Sequence, residues 1–154
     1  MTTTTAPTRQ TAYAGTDLLS VAAKLVAATF LLVGVLGFVP GITSHYGDLS
    51  FAGRDSGAKL LGIFEVSVLH NIVHLLFGVV GLSIARTRSG ARTFLLGGGV
   101  VYLVLFVYGV VIDQASNANF VPVNTADNWL HVVLGAAMLG LGVTLSRSRA
   151  GVRD

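Results

Sequence analysis

The stretch NIVHLLFG, residues 71–78, returns as NWLHVVLG at residues 128–135, and both copies sit inside long apolar runs. Each reads Asn-x-x-His-x-x-x-Gly. Positions i, i+3 and i+7 share one face of an α-helix, so Asn71, His74 and Gly78 form one stripe and Asn128, His131 and Gly135 another. Further steps of three and four add Gly81 and Ala85 to the first stripe and Met138 and Gly142 to the second. A polar head followed by a small-residue tail is the pattern by which membrane helices approach closely. Two copies predict a duplicated helix pair whose halves face each other.

The composition agrees with a membrane setting. Hydrophobic residues make up 53% of the 154 and charged residues only 11%, against about 25% charged in a soluble average, and the mean hydropathy is +0.74. There is no cysteine, which excludes disulfides, thiolate metal sites and a cysteine nucleophile. The net charge of +3 does not point to nucleic acid. The basic residues gather at the ends of apolar runs, where they signal topology.

Residues 1–16 are Thr-rich without apolar periodicity and read as a disordered leader. The first apolar run ends in GFVPG with no clear small-x-small site, so it reads as an uncleaved span. A membrane domain over 17–146 then holds four spans, at about 18–39, 67–85, 93–112 and 124–146, followed by a basic tail at 147–154. Asp17 is the expected N-cap of the first span and Pro40-Gly41 its end, with Lys24 snorkelling to the headgroups. Residues 41–57 read as an external loop, 59–66 as an interfacial lead-in, and Arg86–Arg92 as a basic hairpin. Ser67 and Asn124 are N-cap candidates in the same register as the repeat, a shift of 57 positions that also carries Asn71 onto Asn128. From those caps the asparagines lie about 6 Å into their helices and the histidines about 10 Å.

Orientation follows from the arginines and lysines. Arg9, Lys24, Arg86, Arg88, Arg92, Arg147, Arg149 and Arg153 fall on one side, whereas the other two loops hold only Arg54 and Lys59. The positive-inside rule places both termini in the cytoplasm of a plasma-membrane protein. The result is an all-α integral membrane protein, an up-down bundle of four transmembrane helices built from a duplicated pair.

Three readings of the motif are open. In the first it is a structural clasp, Asn71 and His74 bonding Asn128 and His131 across the interface, because unsatisfied polar groups are costly in lipid. In the second, His74 and His131 are the axial ligands of a b-type haem, or His70, His74 and His131 join Asp127 or Glu65 around a divalent metal; His70 and His74 have the i, i+4 spacing of two ligands on one face. In the third, the motif lines a small-molecule or ion passage with Tyr102, Tyr108 and Asp113. Trp129 and Tyr46 read as interfacial anchors, Arg54 and Asp55 as a solvated loop pair, and Asp127 as a charge suited to a helix N-terminus. No serine has an accompanying base and oxyanion motif, so no catalytic residue is expected and no cofactor is required. The expected partners are the bilayer and a second copy or larger membrane complex, with no nucleic acid.

With LHNIVHLLFG at 69–78 and NTADNWLHVVLG at 124–135, together with LVGVLGFVPG at 32–41 and VVYLVL at 100–105, the chain resembles the actinobacterial four-helix membrane proteins grouped as domain-of-unknown-function family 4383. The likeness runs from about Leu18 to Leu145. It implies an integral membrane protein of a cell envelope and supplies no activity.

Overall fold

A computed structural model describes residues 17–147; the expected leader and the tail beyond Arg147 lie outside the described residues. Four helices carry the fold: α1 Leu18–Leu36, α2 Val68–Ile84, α3 Arg88–Val111 and α4 Thr125–Arg147. Helices α1, α3 and α4 are long and apolar enough to cross a membrane. Helix α2 is apolar too, but at 17 residues it rises only about 26 Å.

Local chemistry sets the ends. Asp17 caps α1 without a bond to a helix amide; its Oδ2 instead accepts from Ser20 Oγ at 2.8 Å. The helix closes at Gly37, whose N–H returns to Val33 O, so it stops short of the expected Val39. Ser67 Oγ accepts from His70 N at 3.1 Å and starts α2. Asn124 Oδ1 accepts from the amides of Ala126 and Asp127, and Asp127 Oδ2 reaches back to Asn124 N at 3.0 Å. That reciprocal pair is a capping box, satisfying amides that a helix start leaves orphaned. Helix α3 opens at Arg88 rather than Thr93, because Thr87 Oγ1 caps it by accepting from Gly90 N at 3.0 Å. Most of the expected basic hairpin is therefore its first turn.

The long connection from α1 to α2 is more structured than a loop and a lead-in. It holds a 3₁₀ turn, Tyr46–Asp48, and three two-residue strands, β1 Thr43–Ser44, β2 Lys59–Leu60 and β3 Phe64–Glu65, all antiparallel in that order. Lys59 pairs with Glu65 and Leu60 with Phe64, and Gly62, at φ 73°, turns the chain between them. The α3–α4 loop and the first turn of α4 fasten onto this connection. Gly53 N donates to Phe120 O at 2.9 Å, Arg54 Nη1 to Ala115 O, Asn124 Nδ2 to Ile63 O at 2.9 Å, and Glu65 N to Asp127 Oδ2 at 3.1 Å.

Helix α1 packs along α2 and α3 along α4, and the two pairs meet mainly through α1 and α3. Small residues set the approach. A Cβ on Gly78 would stand 2.8 Å from Ala27 O, and one on Gly99 or Gly135 would stand 3.0 Å from the other residue's carbonyl oxygen. Phe30, Phe77, Phe94, Leu95, Tyr102 and Met138 fill the space between the pairs. At the end opposite the sheet, Arg88 pairs with Asp17 and donates through Nη2 to Leu145 O at 2.6 Å, tying α3 to the ends of α1 and α4. The outer faces stay apolar, with Leu25 64% and Val133 63% exposed, as suits helices solvated by lipid chains.

Candidate functional site

Both motif asparagines are buried, and each lies on a glycine of the preceding helix. A methyl group on Gly37 would overlap the Asn71 carboxamide, and one on Gly109 would overlap that of Asn128. Asn128 Nδ2 donates to Gly109 O at 2.9 Å. The expected cross-bonds between Asn71 or His74 and Asn128 or His131 are absent among the described residues. The reason is in the packing: α2 and α4 do not lie along each other, because α1 and α3 form the main seam between the pairs.

The histidines gather around rings contributed by that seam. His74 Nδ1 donates to His70 O at 3.0 Å, which leaves Nε2 as an acceptor facing the Tyr102 hydroxyl at 3.4 Å. The Tyr102 ring meets the His131 ring edge-on at 5.4 Å, and Phe30 stands 5.6 Å from His74. His70 stacks parallel on His74 at 4.5 Å. Among the described residues, the Nδ1 atoms of His70 and His131 have no hydrogen-bond partner. Both sequence-predicted haem ligands, His74 and His131, contact Tyr102. Glu65 offers Asp127 its backbone amide, and among the described residues no three His, Asp or Glu side chains are placed to hold a metal ion.

Two cavities flank this cluster, one of about 300 Å³ between α1 and α4 and one of about 210 Å³ between α2 and α3. His70, His74, Tyr102 and His131 line both and form the partition. The cavities match at seven lining positions each. A shift of 57 positions carries His70, Val73, His74 and Phe77 of the smaller onto Asp127, Leu130, His131 and Leu134 of the larger. A shift of 72 carries Thr29, Phe30 and Val33 of the larger onto Val101, Tyr102 and Leu105 of the smaller. Sequence reading found the first register but missed the second, and with it the correspondence of Phe30 with Tyr102 and of Gly37 with Gly109. The signal was present in Phe30/Tyr102 and Gly37/Gly109, but it has no polar landmark.

A helical chain with three apolar helices of membrane-crossing length and a buried polar cluster at one end is the architecture of a membrane protein. The chain belongs to the family described as Domain of unknown function (DUF4383), whose profile matches residues 20–144. No curated protein and no solved structure matches it.

Proposed function

We propose that this chain is a non-enzymatic component of a plasma membrane, an accessory subunit in which the repeated Asn-x-x-His-x-x-x-Gly motif locks each helix onto its predecessor. In this reading α2 is the fourth span, the helices form an up-down bundle from a duplicated pair, and both termini are cytoplasmic. The likeness to actinobacterial proteins supports an envelope setting, with the bilayer and other membrane subunits as partners. One observation carries the reading: Asn71 packs on Gly37 as Asn128 packs on Gly109, the same close approach made twice, although among the described residues only Asn128 also bonds its glycine's carbonyl. Further support comes from Gly78 against Ala27 and Leu31, which the two register shifts carry onto Gly135 against Gly99 and Leu103.

The test is an ultraviolet-visible spectrum of gently purified protein, with and without dithionite, alongside metal analysis. A featureless spectrum without stoichiometric metal, and folded His74→Asn and His131→Gln variants, are the expected results. A Soret band that shifts on reduction and disappears in His131→Ala would make the protein a haem-binding redox component and sink the proposal.

A further inference from the structure

We infer that the cavity between α1 and α4 is a binding site for a lipid-soluble phenol: a neutral aromatic ring bearing a hydroxyl group. At about 300 Å³ it lies at the lower end of small-ligand pockets. It opens between α1 and α4, where Thr29 and Leu130 on its wall are exposed on helices long and apolar enough to cross a membrane. The occupant therefore enters from the bilayer.

Its chemistry is read from the lining. Phe30, Phe64 and the Tyr102 ring supply flat apolar walls, and aromatic faces prefer an offset aromatic partner. Asp127 and His131 stand one helical turn apart and both line the cavity. Asp127 Oδ2 accepts from the amides of Glu65 and Asn124, and among the described residues the buried His131 Nδ1 has no hydrogen-bond partner. An acceptor and an imidazole nitrogen side by side suit a group that donates and accepts at once, which a hydroxyl does and an ether or a quinone oxygen does not. No lysine or arginine lines the cavity among the described residues, so an anion has no counter-charge there. The matched cavity between α2 and α3 carries His70 where this one carries Asp127. The carboxylate is thus particular to this cavity, and the inference rests on the cavity rather than on the packing role of the motif.

The test is saturation-transfer NMR on the full chain in lipid nanodiscs, with para-propylphenol and its methyl ether, para-propylanisole, as probes. Saturable binding of the phenol is expected, with the ether roughly tenfold weaker because it has no proton to donate to the buried His131 Nδ1. In His131→Phe the phenol should fall to the level of the ether. Thr29→Trp changes an exposed rim position, so it leaves the core alone, and it should weaken both probes by narrowing the entrance. Equal binding of the two probes, no saturable phenol binding, or undiminished binding in Thr29→Trp would each overturn the assignment. Because Thr29→Trp does not touch the core, the test holds even if His131→Phe fails to fold.

Discussion

Phe30 and Tyr102 stack on each other with ring centroids 5.3 Å apart and an angle of 18° between their planes. They are also each other's counterparts, since the shift of 72 positions that carries Gly37 onto Gly109 carries one onto the other. Each lies against the motif histidine of its own helix pair. The only chemical difference between them is the hydroxyl that bonds His74.

Removing that hydroxyl isolates its contribution. Tyr102→Phe keeps the stack and should cost about 0.6 kcal/mol, the average for an interhelical hydrogen bond in a membrane. Tyr102→Ala opens a cavity among Phe30, Phe77 and His131 and should cost about 3–5 kcal/mol. Reversible unfolding in mixed micelles reads both. A Tyr102→Phe penalty as large as that of alanine would mean that the ring contacts contribute little.

The glycines beneath the asparagines give a sharp contrast. Gly109→Ala drives a methyl group into the Asn128 carboxamide, and overpacking of this kind costs about 1–3 kcal/mol. Gly97 lies on the same helix with nothing within 4 Å of where its Cβ would be, so Gly97→Ala should raise stability by up to about 1 kcal/mol. Thermal inactivation midpoints should move in opposite directions for the two variants.

Arg88 tests the opposite end of the molecule. Its side chain is 33% exposed and that of Asp17 24%, so the pair is less screened than a surface ion pair. One planar guanidinium serves Asp17 and the carbonyls of Leu145 and Ser146 together. Lysine keeps the charge but not the fork, so Arg88→Lys should lose about 1–2 kcal/mol. A proteolysis assay at the α4 end should show faster cleavage; an unchanged rate would mean that the charge alone suffices.

Orientation is open to chemical labelling. Gly47 lies in the α1–α2 connection with nothing within 4 Å of its Cβ direction, and the chain has no native cysteine. Gly47→Cys should react with an impermeant thiol reagent in intact cells, and Ser89→Cys only after lysis. The reverse pattern would invert the assigned topology.

The sequence made the helices legible where hydrophobic content and a polar cap coincide. Ser67 and Asn124 cap α2 and α4 where the repeat register puts them. The start of α3 was obscured because Arg88 and Arg92 look like a loop to a hydropathy reading, although charge at a membrane edge does not prevent a helix and Thr87 caps this one. The sheet was invisible because two-residue strands carry no alternation to detect. The polar cluster was half legible: His74, His131 and Asp127 do line one cavity. Which rings separate the histidines depends on α1 and α3 meeting, a fact of packing that no single helix records.

The four bonds that fasten the first connection to the second and to the start of α4 have a temporal consequence. Ile63 O and Glu65 N find their partners in Asn124 and Asp127, about sixty positions later in the chain. During synthesis the first helix pair is therefore made with its sheet still open on one side. Backbone groups left without partners hold such a segment only loosely. Helix α4, made later than both, brings the missing partners, so the end of the molecule that roofs the cavities closes only once that helix is in place.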